Sequence, residues 1–247
     1  MSSQIRVDDH NGVRTIAFAR PEKKNALTVA MYQTVAAALQ AAEHDPAIKV
    51  VLFTGDGDSF TAGNDLGDFL NTPPSGPDSP VFVVLQMLCS MRKPLVAAVP
   101  GLAIGIGTTM LLHCDLVYAS TAAKFRMPFV DLGLVPEAAS SLLLPMRIGH
   151  ARAAEMLLLG AGFDAARALE LGIVNAVLPP EQLLAFARER AEALASKPTE
   201  ALLATKALMK ATHEPTLARM QREAALFIER LQSAESRALF ANFLAKK

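Results

Sequence analysis

Cysteine is nearly absent from the 247-residue chain: there are two, Cys89 and Cys114. One possible pair makes no disulfide framework. Both sit in apolar stretches, so they read as buried free thiols of a reducing compartment. Net charge is absent too, since 24 basic residues balance 24 acidic ones. The densest basic spots are only Lys23–Lys24 and Lys246–Lys247, which removes the electrostatic footprint of a nucleic-acid-binding protein. No apolar run is long enough to span a bilayer. Met1 to Arg6 hold no signal-peptide core, and Ala245-Lys246-Lys247 is no peroxisomal tripeptide. The expectation is a cytoplasmic protein with neither membrane nor nucleic-acid partner. What abounds is hydrophobicity, 51% of residues, at the top of the globular range. Buried sheets and subunit contacts would both account for it.

Several chemical signatures are missing as well. Gly105-Ile106-Gly107 meets Met110 where the third glycine of a dinucleotide fingerprint belongs, and no Walker-type Gly-Lys-Ser/Thr occurs. There is no Gly-x-Ser-x-Gly nucleophile elbow. His10, His44, His113, His150 and His213 are far apart and lack ligand spacing, so they read as surface or core residues. The turn Gly55-Asp56-Gly57-Asp58 is acidic but lacks the spacing of a calcium loop. No metal site is expected.

The residues present alternate between strand and helix signals. Asn11-Gly12 separates two short runs and predicts a hairpin, because both turn positions need positive φ. Thr28 opens a helix with Met31, Val35 and Leu39 on one stripe, which ends near Asp45-Pro46. Residues 49–54, 94–99 and 116–119 read as buried strands. Thr72 to Pro80 holds four prolines and reads as an exposed loop. Ser79-Pro80 then starts a helix over Val81 to Arg92. Beyond Glu137 the chain turns helical, with Asp164 as an N-cap, Gly172 as a stop and a last short strand over 173–178. Helix continues from Glu181, broken at Lys197-Pro198 and His213-Glu214-Pro215. Leu217, Met220, Ala224, Phe227 and Leu231 form a stripe that needs a covering surface. The class is α/β, divided into a core over 1–190 and a helical region over 191–247. No repeat of fixed length stands out.

Three segments stand together as carriers of chemistry: Ser59 to Leu66, Gly101 to Gly107, and Pro128 to Glu137. Glycines after strands serve tight turns. Equally, two such loops can present convergent N–H groups as an oxyanion hole. Glu137, alone, would read as a helix-end residue.

In combination the segments resemble the crotonase (enoyl-CoA hydratase/isomerase) superfamily over essentially the whole chain. The resemblance rests on Arg20-Pro21-x-x-x-Asn25-Ala26-Leu27, Phe60-Thr61-Ala62-Gly63-Asn64-Asp65-Leu66, Gly101-x-Ala103-x-Gly105-x-Gly107 with Cys114-Asp115, and Phe125 to Pro136. It implies a spiral of β-β-α units with a C-terminal helical trimerisation region, assembled as a homotrimer or dimer of trimers. It implies an acyl-CoA thioester as substrate, with no separate cofactor. The thioester carbonyl would sit between the N–H groups of Ala62 and Ile106. Lys24, Ala26, Ala62, Gly63, Asn64, Asp65, Leu66, Ile106 and Phe129 would contact substrate or CoA.

Hydratases of the superfamily use two glutamates, and the aligned positions here are Thr109 and Phe129. Neither is a carboxylate, and hydration needs a positioned base and acid. Gly133-Leu134-Val135-Pro136-Glu137-Ala138-Ala139-Ser140-Ser141 instead resembles the peroxisomal-type delta3,delta2-enoyl-CoA isomerases, as does Gly63-Asn64-Asp65-Leu66. By that resemblance Glu137 shuttles a proton from C2 to C4 of a 3-enoyl-CoA, giving the trans-2-enoyl thioester. Burial in an apolar pocket would raise its pKa. Asn64 suits a loop hydrogen bond better than a ligand contact. Asp65 reads as structural, and Asp131 as a solvent-facing second carboxylate. The alternatives are hydration with an unusual base, another acyl-CoA reaction, or a non-catalytic acyl-CoA-binding scaffold.

Overall fold

The computed structural model of the protein describes residues 4–72, 78–210 and 234. The chain divides into two compact units between Ala195 and Ser196.

The first unit opens with the hairpin β1 (Ile5–His10) and β2 (Val13–Phe18), then α1 (Val29–His44). Three further strand-strand-helix turns follow. They are β3 (Val50–Gly55), β4 (Ser59–Thr61), α2 (Leu66–Asn71) and α3 (Pro80–Ser90); β5 (Leu95–Val99), β6 (Leu102–Ile104) and α4 (Ile106–Thr109); and β7 (Leu116–Ser120), β8 (Lys124–Arg126), α5 (Ser140–Ile148) and α6 (His150–Leu158). β9 (Phe163–Asp164), α7 (Ala165–Glu170), β10 (Ala176–Leu178) and α8 (Pro180–Ala195) close it. This is the spiral of β-β-α units that the resemblance implies.

Each of these three further turns sends its first strand to one sheet and its second strand to another, whereas β1 and β2 share a sheet. The large sheet runs β1-β2-β3-β5-β7-β10, and the small one β4-β6-β8-β9. Only β1–β2 and β8–β9 are antiparallel. Asn11 and Gly12 turn the hairpin with φ of 50° and 77°, as the Asn-Gly pair requires. Thr28 caps α1, its side chain accepting the Met31 N–H.

The inner strands of the large sheet, β2, β3, β5 and β7, are buried on both faces, which explains the continuous apolar runs of β3 and β5. Val51, Phe53, Leu95, Ala97 and Val99 join the main core with Met31, Val35 and Leu39 of α1. The alternate residues Val50, Leu52, Val96 and Ala98 face α8 through Leu183, Ala187, Ala191 and Ala195. Small side chains at a spacing of four let that helix lie close to the sheet.

Some expectations need adjusting. α3 stops at Ser90 and the last strand shortens to Ala176–Leu178. Cys114 is buried but Cys89 is exposed, because Cys89 follows the buried Leu88 onto the outer side of α3. The short strands of the small sheet lie where the sequence suggested only turns and loops. In the second unit α9 (Thr199–Lys210) follows the Lys197-Pro198 break. The stripe Leu217 to Leu231 and the break at His213–Pro215 lie outside the described residues. Among the described residues no helix is long and apolar enough to cross a membrane.

Candidate active site

The small sheet brings the loops together. β4 pairs in parallel with β6, Ser59 opposite Leu102 and Thr61 opposite Ala103, so the loops leaving both strands emerge side by side. Their approach leaves no room for side chains. A Cβ on Gly63, whose φ is +88°, would lie 2.8 Å from the Ile104 carbonyl oxygen, and one on Gly107 would meet the Thr61 methyl at 2.7 Å. Glycine is needed here for close contact as much as for conformation.

The first loop is anchored by Asn25, which is fully buried and sits in the left-handed region with Lys24. Its carboxamide accepts from the Arg20 N–H and donates to the carbonyls of Asp56 (2.9 Å) and Ser59 (2.7 Å). Its own carbonyl accepts from the Thr61 hydroxyl, which in turn accepts from the Gly63 N–H. A buried amide with every group paired stiffens the turn it occupies. The sequence marked Asn25 as part of a signature but not as this anchor.

The Ala62 N–H donates to the Lys24 carbonyl at 2.9 Å. It is therefore committed to joining the Asn25 turn to the end of β4, and the expected oxyanion donor at Ala62 is corrected. One residue further along the loop, the Leu27 N–H donates to the Gly63 carbonyl and the Asp65 N–H to the Leu27 carbonyl. That bridge straddles Asn64, whose backbone N–H has no hydrogen-bond partner among the described residues. The Asn64 side chain accepts from the Tyr32 hydroxyl at 2.6 Å, the loop role expected for it.

Asp65 caps α2 by accepting from the Asp68 N–H and pairs with Arg20 at 2.7 Å. The Arg20 hydrogen bond, more than any other contact, holds its carboxyl below the usual range. Asp65 is thus structural. Arg20 also donates to the Ala26 carbonyl, so Lys24 and Ala26 shape this loop through their backbones. Leu66, first residue of α2, is exposed.

The second loop turns at Gly105, φ +56°, into α4. The Gly105 carbonyl accepts the N–H groups of Thr108 and Thr109. The N–H of Ile106, first in the helix, is left without a partner among the described residues, as helix starts dictate. An apolar cavity lies beside Ile106, walled by Leu27, Tyr32, Val84, Leu88 and Met110.

The third segment delivers Glu137. Thr109, fully buried on α4, donates its hydroxyl to the Glu137 carboxylate. Ala138 and Ala139 follow with φ of 52° each, a conformation that costs about 1–3 kcal/mol per non-glycine residue. It is held because His113 Nε2 lies 2.8 Å from the Ala138 carbonyl and Ser140 donates its N–H and hydroxyl to the Glu137 carbonyl. Burial pushes the Glu137 carboxyl up to about 7, against the opposing hydrogen bond from Thr109. Its charge is felt at Tyr32, where burial chiefly, and then Glu137, raise the phenol well above its usual value.

Phe129, expected at the pocket, is buried in the main core. Asp131 pairs with Arg126 at 2.9 Å, both side chains about half exposed, and takes no part in the site. The loops therefore supply one carboxylate and two N–H groups without partners among the described residues, and Ile106 also borders the small apolar cavity walled mainly by α1 and α3.

The sequence pattern of the enoyl-CoA hydratase/isomerase family matches residues 8–247. The chain is 36% identical to Enoyl-CoA delta isomerase 2 of Homo sapiens over 98% of its own length, spanning 63% of that protein; it thus spans under two thirds of that relative. It is 35% identical to 1,2-epoxyphenylacetyl-CoA isomerase of Escherichia coli K12, covering 96% of this chain and 93% of that one. A solved structure from Magnetospirillum magneticum AMB-1 superposes with a TM-score of 0.96 at 43% identity, covering 100% and 98% of the two chains. The two-sheet spiral, the paired glycine loops and a match over nearly the full length agree: the chain belongs to the enoyl-CoA hydratase/isomerase, or crotonase, family.

Proposed function

We propose that the protein is a delta3,delta2-enoyl-CoA isomerase, converting 3-enoyl-CoA to trans-2-enoyl-CoA. The observation that carries this reading is the isolation of Glu137: a part-buried carboxylate, bonded to Thr109, with no second carboxylate acting on it among the described residues, where a hydrating enzyme would need a second acid or base. A double-bond shift needs one group that takes a proton and gives it back.

In this mechanism the thioester oxygen accepts from the N–H groups of Asn64 and Ile106. Ionised Glu137 removes a C2 proton, and the C2–H electron pair moves toward C1, placing charge on the thioester oxygen. Each N–H donor stabilises that charge by roughly 3 kcal/mol. Collapse of the dienolate reforms the carbonyl and draws the C3=C4 pair onto the Glu137 proton at C4, leaving C2=C3. Every electron is accounted for within substrate and carboxylate, so no separate cofactor enters. The raised carboxyl supports the role, because a base near neutrality is well matched to proton transfer at ordinary pH. The name of the human relative points the same way.

The test is to supply a 3-enoyl-CoA and follow the conjugated thioester by absorbance, with product analysis for added water or freed CoA thiol. Conjugation by the native protein and a loss of about 10²–10⁴-fold in Glu137→Gln, with acyl-CoA still bound, is the expected result. Near-normal turnover by the variant would remove Glu137 from the mechanism. Hydration or thiol release as the main product would replace the reaction.

A further inference from the structure

A proton shuttle needs one oxygen, and Glu137 has two. The Thr109 hydroxyl donates to one of them. Thr109 is fully buried, and its backbone N–H is bonded to the Gly105 carbonyl at 3.0 Å, so α4 fixes where the hydroxyl stands. At the other end of the residue, Ser140 holds the Glu137 carbonyl. The carboxylate is thus restrained from both sides.

We propose that Thr109 is a positioning residue that ties one Glu137 oxygen, so that removal of the C2 proton and its return at C4 both run through the other oxygen. This rests on the reading of Glu137 as the base. The oxygen that accepts the Thr109 hydrogen is the less basic of the two, because protonating it would make it a poorer acceptor and weaken that bond. The added proton therefore settles on the neighbouring oxygen, and the tied one becomes the carbonyl oxygen of the acid, still accepting. The carboxylate then has one reactive edge instead of two and need not rotate between the transfers. The same bond favours the ionised form, since charge-assisted hydrogen bonds are the stronger ones. It works against the burial that dominates the carboxyl's shift, and its loss therefore moves the carboxyl further up.

The experiment measures kcat, KM and their pH dependence on a 3-enoyl-CoA for the native protein, Thr109→Val, Thr109→Ser, and Thr109→Val combined with Glu137→Gln. Thr109→Val is expected to lower kcat by about tenfold or more, leave KM within about twofold, and move the acidic limb of the profile to higher pH. Thr109→Ser should restore most of both. In the Glu137→Gln background Thr109→Val should change the residual rate by less than about twofold, because the two residues act as a unit. A Thr109→Val protein with native kcat and a native profile overturns the proposal. So does an equal loss in both backgrounds, which would make the threonine a packing residue. If Thr109→Val does not fold, Thr109→Ala carries the same readouts and the same two refuting outcomes. Native turnover in Glu137→Gln alone is a different failure, that of the base itself.

Discussion

Replacing Glu137 by glutamine should stabilise the protein in alkaline solution while removing its activity. Burial raises the carboxyl from 4.5 to about 7 in the folded protein. For an acid whose folded value lies above its unfolded one, no penalty exists at low pH, where both states are protonated. As pH rises past 4.5 the unfolded chain ionises first, and stability falls until the folded carboxyl also ionises near 7. Above that, at about 1.4 kcal/mol per pH unit, the cost is about 3 kcal/mol. Glutamine keeps an acceptor for Thr109 but brings two N–H donors that need partners, an offset of about 1 kcal/mol. The variant should therefore be more stable than the native protein by about 2 kcal/mol at pH 8 and less stable by about 1 kcal/mol at pH 4. Denaturant unfolding of both proteins at the two pH values, at one fixed concentration so that association cancels, measures the difference. A difference independent of pH, or one that favours the native protein at pH 8, would refute the buried-carboxylate argument. A base kept at a cost in stability is what a functional site is expected to contain.

Two further outcomes follow from the same geometry. The pH profile of kcat/KM should rise through about pH 7, where the Glu137 carboxyl ionises, and then level, because in the proposed mechanism the ionised form removes the proton; a profile that falls through that range would assign catalysis to the protonated form. Tyr32→Phe deletes the hydroxyl that holds the Asn64 side chain, and should lower stability by about 1 kcal/mol. Kinetics should show kcat reduced several-fold with KM little changed, because the Asn64 N–H loses its fixed aim; an unaltered kcat would separate Tyr32 from the site.

Strong local signals made much of this molecule legible. The Asn11-Gly12 turn, the Thr28 cap, and strands β3, β5 and β7 each carry their evidence within a few residues. The small sheet does not. β4, β6 and β8 are three residues long, and each is a strand only because a neighbour from elsewhere in the chain pairs with it. The β-β-α turns begin at Val50, Leu95 and Leu116, an uneven spacing that hides the repeat from inspection. Asn25 shows the same limit. As a letter it belongs to a motif, and only the folded chain reveals that its amide joins Arg20, Asp56 and Ser59.

The sequence by itself determined the α/β class, the family, the glycine loops and Glu137 as the carboxylate of interest, because these depend on residue types at short spacings. Tertiary structure alone decided which N–H groups lack a partner among the described residues. Ala62 and Asn64 are two residues apart on one loop, and the choice between them turns on the Lys24 carbonyl, which occupies the first, and on the Leu27 bridge, which passes over the second. It also decided the state of Glu137, since burial and the Thr109 hydroxyl act on it from residues far away in the chain. A backbone donor looks the same in every sequence; its availability is a property of what the fold places against it.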